Sequence, residues 1–182
     1  MGMPEALHRW TREEVLALPD DGMRHELFDG ELVVSSAPRY RHQDVLMSLL
    51  VLLADYTRAV NVGKLLLSPA DLPLLGGQVA QPDIFVLPHG RFAQDWSDAP
   101  VPILAIEVAS PSTVRYDRGL KRRGYQKAGV AEYWIVDPEA HLIERWRPDD
   151  TRPEVVFERI TWQPDPAVDP LDFELAAIFR DS

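Results

Sequence analysis

Two carboxylates stand where apolar strands should run. Asp83 follows a proline in "VAQPDIFVLP" (79–88), at the mouth of the run Ile84 to Leu87, and Glu107 lies between Ile106 and Val108 in "ILAIEVAS" (103–110), the most apolar run of the chain. An ionised carboxylate buried without a partner costs several kcal/mol, so each needs a solvated cleft, a cation or a metal beside it. Two such acids on neighbouring strands repel and raise each other's pKa unless a divalent cation lies between them. Hard oxygen ligands with open coordination positions suit Mg2+ or Mn2+, which activate water and offset charge on a phosphoryl group. Taken singly, Asp83 can cap a strand or accept from backbone amides, and Glu107 can pair with an arginine. Together, and followed by a helix that carries Lys121, they point to phosphoryl chemistry.

The elements that must position these groups are legible in the spacing. "TREEVLAL" has Thr11 and Glu14 in capping-box register and predicts a short helix ending before Pro19. "RHELFDGELVVSS" reads as a hairpin turning at Asp29-Gly30, which puts Glu26 and Glu31 on paired strands. His42 to Tyr56 places Val45, Leu46, Leu49, Leu50, Leu52, Leu53 and Tyr56 at helical spacing, an amphipathic helix that should pack on a sheet. Short strands are expected over Leu65–Leu67 and Asp71–Leu75, then a proline-rich loop from His89 to Pro102, then a central strand around Glu107 buried on both faces. "PSTVRYDRGLKRRGYQKAG" reads as one helix with Thr113 or Asp117 as N-cap and Gly129 beyond its end. Its stripe of Leu120, Gly124 and Ala128 should lie close to the sheet, with Lys121 at the stripe's edge. "EYWIVDP", "LIERWR" and "EVVFERI" read as strands, and Leu175 to Phe179 as a short helix. The order predicts an α/β sandwich of helices around a mixed β-sheet.

The chain has 182 residues, no cysteine and a net charge of −10. Its length and lack of low-complexity tracts predict one domain over 1–182. Absence of cysteine rules out disulfides and thiolate metal sites and accords with a reducing cytosol. No apolar segment is long enough to span a bilayer, so a cytoplasmic protein without a membrane partner is expected. The acidic balance argues against broad adhesion to phosphate backbones. Arg115 to Lys127, however, holds six cations against Asp117 alone, a local +5 on a remainder of −15.

The series "PDIFVLP", "ILAIEVASPST" and "DRGLKRRGYQKAGVAEYWIVDPE" closely resembles the Uma-two endonuclease family, a branch of the PD-(D/E)XK restriction-nuclease superfamily. "HELFDGELVVSSAP" followed by "RHQ" matches its N-terminal portion, so the resemblance runs through nearly the whole chain. It implies a restriction-endonuclease-like mixed sheet flanked by α-helices, with Asp83 and Glu107 as metal ligands and Glu26 as the further acid that many members supply. One departure stands out: the superfamily pattern has lysine two residues after the second acid, where this chain has Ala109. Lys121 is the natural substitute, since members move this lysine onto the following helix, and Lys121 with Tyr125 resembles the Gln-x-x-x-Tyr motif of exonuclease branches.

The remaining residues carry weaker expectations. Arg118 and Arg122 lie one turn apart and are candidates for phosphate contact, though a solvated reading serves each. Asp117 can orient Lys121 or cap the helix, Ser110 can bond to Glu107, and His42 can reach the site from its helix or stay in solvent. Trp134 and Trp146 are read as core or sheet-face residues. The expected function is Mg2+- or Mn2+-dependent hydrolysis of DNA, with Glu26, Asp83 and Glu107 on the metal and Lys121 orienting water or stabilising charge. Two rivals are a non-catalytic descendant of the same fold that binds nucleic acid or protein, and a structural oligomer whose carboxylates pair with arginines. A homodimer stays open.

Overall fold

A computed structural model describes residues 8–90 and 95–179 of the chain. Part of the expected 89–102 loop, residues 91–94, lies outside the described residues, as do the ends of the expected 1–182 domain.

Helix α1 (Arg12–Leu16) starts on a complete capping box, with Thr11 accepting from the Glu14 amide and the Glu14 side chain accepting from the Thr11 amide. Strands β1 (Arg24–Phe28) and β2 (Glu31–Ser35) form the hairpin, and Asp29 and Gly30 take the positive φ values, 49° and 80°, that its tight turn requires. Helix α2 (Tyr40–Val60) outruns the expected 42–56 at both ends and closes on Asn61 in the left-handed conformation. Then come β3 (Lys64–Leu67), β4 (Leu72–Leu74), β5 (Gln78–Ala80), β6 (Ile84–Leu87), a 3-10 turn at Trp96–Asp98 and β7 (Leu104–Val108).

The expected single helix after β7 is a helical run of three parts: α3 (Val114–Tyr116), a π-helical turn (Asp117–Lys121) and α4 (Arg122–Ala128), closed by Gly129 at φ 79°. Thr113 precedes it as N-cap without a side-chain cap bond. Strands β8 (Glu132–Asp137) and β9 (Leu142–Trp146) follow as a hairpin. "EVVFERI" is not one strand but two: β10 (Glu154–Val156) pairs with β9, whereas β11 (Arg159–Trp162) pairs with β12 (Leu171–Glu174) in a separate ribbon. The expected C-terminal helix is a 3-10 turn, Leu175–Ala177.

The larger sheet has the order β10-β9-β8-β7-β6-β3 and is mixed, with β7·β8 as its parallel pair. The smaller sheet is β2-β1-β5-β4. Side-chain alternation on β6 and β7 sorts the core into two layers. Ile84, Val86, Leu104, Ile106 and Val108 meet Val45, Leu49 and Leu53 of α2 and Trp162 of the ribbon. Phe85, Leu87, Ala105 and Ala109 meet Phe28 and Leu72 of the smaller sheet and Leu120 and Tyr125 of the helical run. Gly124 is required where α4 crosses β1, because a Cβ there would stand 2.4 Å from Phe28. The small-residue stripe read from the sequence therefore does draw this helix inward, and Lys121 comes with it.

Candidate active site

On β7 the residues alternating with Ile106 and Val108 are Ala105, Glu107 and Ala109, so Glu107 points into the layer that holds the helical run. Its Oε1 accepts from Lys121 Nζ at 3.1 Å and from the Tyr125 hydroxyl at 3.0 Å, while Oε2 has no hydrogen-bond partner among the described residues. Lys121 is 2% exposed. Its ammonium also stands 2.6 Å from Glu26 Oε2 and 3.6 Å from Asp117 Oδ1, so one cation serves three buried carboxylates. Glu26 is fixed from its other side by the Gln81 amide, which donates to Oε1 at 2.8 Å. The π turn lies at this point, its Arg122 amide reaching back to the Asp117 carbonyl, and such turns recur where a helix must present functional groups.

Asp83 sits on the link between β5 and β6. Because Ile84 pairs with Ile106, the antiparallel register carries Asp83 alongside Glu107. Oδ1 of Asp83 accepts from Arg24 Nη1 at 2.6 Å; Oδ2 accepts from the Val108 amide at 2.8 Å and lies 3.0 Å from His42 Nε2. Asp83, Glu107, Lys121, Arg24, Arg39 and His42 all line one cleft of about 200 Å³.

Asp83 and Glu107 are pushed in opposite directions by the balance of burial and neighbouring charge. Burial would raise Asp83, but the His42 hydrogen bond and the charges of His42 and Arg24 outweigh it and hold the carboxyl at about 2. Glu107 is raised well above the usual range by burial, and repulsion from Glu26, Asp83 and Asp117 adds to that against the attraction of Lys121. Burial likewise raises Asp117 to about 6, and neither of its oxygens has a hydrogen-bond partner among the described residues. Burial alone would depress Lys121, yet the three carboxylates keep it charged and raise it.

Asp117 yields an expected result in metal-free protein. A folded pKa near 6 against an ordinary 3.8 means that the folded state binds more protons between those values, so stability falls as pH rises through that window. The full penalty, roughly 3 kcal/mol, is present above it. Asp117→Asn removes the charge but leaves an amide short of partners, so the net gain at pH 8 is expected to be about 1 kcal/mol, and none at pH 4. Urea unfolding at the two pH values checks this; equal effects at both would show that Asp117 carries no charge penalty.

Of the residues singled out by sequence, Asp83, Glu107 and Lys121 are brought to one cleft, with Tyr125 beneath. Glu26 is turned onto Lys121 and is fully buried. A three-carboxylate metal cage of Glu26, Asp83 and Glu107 is not assembled: among the described residues no group of three or more His, Asp or Glu side chains is arranged to hold an ion. The donors nonetheless fit a hard divalent ion, since Mg2+ is commonly held by one or two carboxylates with water and phosphate completing its shell. Asp83 and Glu107 both open on the cleft, and the four buried acids, Glu26, Asp83, Glu107 and Asp117, outnumber the two fixed cations Arg24 and Lys121.

The +5 segment is partly neutralised in three dimensions: three of its six cations meet acids, while Arg115 and Arg123 stay exposed. Lys121 is buried among acids, Arg118 is held by Glu144 at 2.5 Å and Asp137 at 2.9 Å, and Lys127 lies 3.2 Å from Asp29. Arg122 bonds to Gln126 at 2.7 Å and stacks over Trp146, whose ring belongs to the core as expected, as does that of Trp134. Arg118 and Arg122 are therefore engaged by protein partners. Ser110 bonds to Ser112 and Thr113 and not to Glu107. His42, left between site and solvent by its position, is on Asp83.

Arg24 went unnoticed in the sequence. It lies two positions before Glu26 on the same strand, so the period of two that turns Glu26 inward places Arg24 on the same face, and that spacing was the available signal.

A family model described as "Putative restriction endonuclease", Uma2, matches residues 12–177. No curated protein matches the sequence. Among solved structures, the fold is similar to the crystal structure of a "putative nuclease belonging to DUF820" from Anabaena variabilis, with a TM-score of 0.75 and 19% identity over 93% of this chain and 97% of that one. The fold is thus that of a restriction-endonuclease-like protein, a mixed sheet flanked by helices, and no described helix is long and apolar enough to cross a membrane. With the family model spanning nearly the whole sequence, the chain belongs to the Uma2 family of restriction-endonuclease-like proteins.

Proposed function

We propose that the protein is a divalent-metal-dependent endonuclease that hydrolyses DNA phosphodiester bonds, working in the cytoplasm as one nuclease-like domain. The observation that carries this reading is the convergence of Asp83, Glu107 and Lys121 on a single cleft. Asp83 and Glu107 would hold Mg2+ or Mn2+, which when bound supplies positive charge to phosphoryl oxygens and acidifies water. Tyr125 and Lys121 fix Oε1 of Glu107 and so aim the unengaged Oε2 at the cleft. Lys121, charged and held from below by Glu26, offsets the negative charge that develops on the phosphoryl oxygens. This does for Ala109 what a strand lysine does elsewhere in the superfamily: the ammonium arrives from the helix instead.

The binding-module reading draws on a different observation, the occupation of both Asp83 oxygens by protein donors. Incubating supercoiled plasmid with the protein in Mg2+ or Mn2+ separates the two. Nicked or linear product in either metal, and none in chelator, is the expected result. Retained DNA binding with no product in either metal would move the assignment to a binding module.

Phosphate contact is better placed on Arg39 than on the Arg118–Arg122 pair. Arg39 is exposed at the N-terminal edge of α2 and lines the cleft, whereas Arg118 is spent on Glu144 and Asp137. Arg39→Ala is expected to weaken duplex binding and reduce the slope of log affinity against log salt by about 1, and Arg118→Ala to leave the slope unchanged. Fluorescence anisotropy across a salt series measures both, and the opposite ranking would relocate the DNA track to the helical run.

A further inference from the structure

Strand β1 begins at Arg24, at the end of the smaller sheet that borders the cleft. The guanidinium is 24% exposed although its partner, Asp83, is 2% exposed. Nη1 makes the 2.6 Å bond to Oδ1, and among the described residues Nε and Nη2 make no hydrogen bond or ion pair. A guanidinium locked to a carboxylate for structure alone commonly uses two parallel bonds. This one uses a single nitrogen and keeps donors in reserve, in the planar arrangement that suits a phosphodiester as well as a carboxylate.

Its position adds to this. Arg24 lines the active-site cleft and also a neighbouring depression of about 490 Å³, and the two share the wall formed by Ser35 to Pro38. A chain passing from one hollow to the other crosses the guanidinium. On Asp83 itself the two oxygens are held unequally. Oδ2 takes the Val108 amide, which the β7 backbone fixes, and His42; Oδ1 takes only the Arg24 side chain.

We propose that Arg24 is an exchangeable clamp on Asp83. In the free protein it neutralises Oδ1; when the scissile phosphodiester enters, its guanidinium passes from the carboxylate to the phosphate and Oδ1 becomes available to the metal. No covalent bond changes in this step, since one monoanionic oxygen partner replaces another. The inference rests on the reading of Asp83 and Glu107 as the metal-holding pair. It makes phosphate and metal mutually reinforcing: whatever factor the phosphate adds to metal affinity, the metal must add to phosphate affinity.

The experiment is a Mn2+ titration of full-length wild type, Arg24→Met and Asp83→Asn, read by electron paramagnetic resonance of free Mn2+, with and without dimethyl phosphate as a diester that is not turned over. Without phosphate, Arg24→Met is expected to bind Mn2+ on the order of tenfold more tightly than wild type, a typical size for such coupling. Dimethyl phosphate is expected to tighten Mn2+ binding in wild type and to have little further effect in Arg24→Met. Asp83→Asn is expected to lose the site. Should Arg24→Met fail to fold, Arg24→Gln, which retains a donor to Asp83 without the charge, carries the same expectation. Mn2+ binding equal to or weaker than wild type in the Arg24 variant, with the site still lost in Asp83→Asn, would overturn the clamp and leave the metal reading standing. Absence of Mn2+ binding in every protein would overturn both. Plasmid cleavage does not enter this test, so an inactive wild type leaves its outcome readable.

Discussion

Glu107→Gln is expected to remove metal-dependent cleavage while leaving the protein as stable as wild type, or more stable, in chelator. The amide oxygen can still accept from Tyr125 and Lys121, so the contacts at 3.0 Å and 3.1 Å are kept in kind. What is lost is the anion. In metal-free protein that anion is a burden, because burial raises Glu107 well above its usual range and Glu26, Asp83 and Asp117 add to the rise. The folded state therefore binds a proton that the unfolded chain releases from about pH 4.5 upward, and stability falls as pH rises through the interval above that value. Glutamine abolishes this dependence, so its advantage over wild type should grow with pH. Loss of an outer partner of a metal ligand commonly costs 10–100-fold, and loss of the ligand should exceed roughly 100-fold. Single-turnover plasmid cleavage and thermal melts in chelator at pH 6 and pH 8 measure the two halves. Cleavage near the wild-type rate would remove Glu107 from the metal site, and a melt collapsing at both pH values would make it a structural counter-ion of Lys121.

The two acids were legible in the sequence because an acid beside or inside an apolar run violates the pattern around it: Glu107 does so within β7, and Asp83 immediately before the buried strand β6. The hairpin and α2 were legible for the converse reason, that their local chemistry agrees with their surroundings. What escaped the sequence was partnership. Six cations in thirteen residues look like one patch when counted along the chain, but only Arg115, Arg122 and Arg123 are left without an acid among the described residues: Lys121 is buried among carboxylates, Arg118 meets acids from β8 and β9, and Lys127 meets Asp29 from the hairpin turn. Apart from that of Lys121 with Asp117, none of these pairs is local. The split of "EVVFERI" between two sheets has the same origin: a β propensity says that a segment extends, and pairing partners elsewhere decide which sheet receives each half. The π turn is likewise invisible to a count of apolar spacing, because Asp117 and Lys121 share a face in a regular helix too.

Lys121→Met is the variant for which the structure most changes the expected outcome. From sequence, Lys121 sits at the edge of an apolar stripe, and methionine, which keeps most of the aliphatic stem, should leave packing intact while the rate falls. In the fold Lys121 is 2% exposed and stands within 4 Å of Glu26, Glu107 and Asp117, so its removal strands three acids. Breaking a buried charge pair by deleting one partner typically costs 3–5 kcal/mol, and Lys121→Met is expected to lose about that much at pH 8 in chelator. The loss should shrink as pH falls. Without the ammonium, Asp117 and Glu107, both already raised by burial, bind protons still more readily in the folded state than in the unfolded chain, so stability recovers on acidification from pH 8 toward pH 5. The double variant Lys121→Met with Glu26→Gln, which deletes the carboxylate closest to Nζ at 2.6 Å, should regain part of the loss at pH 8. Cleavage then has to be compared at a pH where the variant is folded, and there the rate is expected to fall by about 10²- to 10³-fold, the effect of losing one oriented electrostatic stabiliser. Urea unfolding at pH 5, 6.5 and 8, followed by single-turnover cleavage at the lowest pH that supports wild-type turnover, reads both effects. A small loss of stability that does not vary with pH would mean that the acids are not relying on Lys121. Wild-type cleavage by the folded variant would mean that the phosphate is not relying on it either, and the cation that Ala109 lacks would have to be sought among the arginines of the cleft.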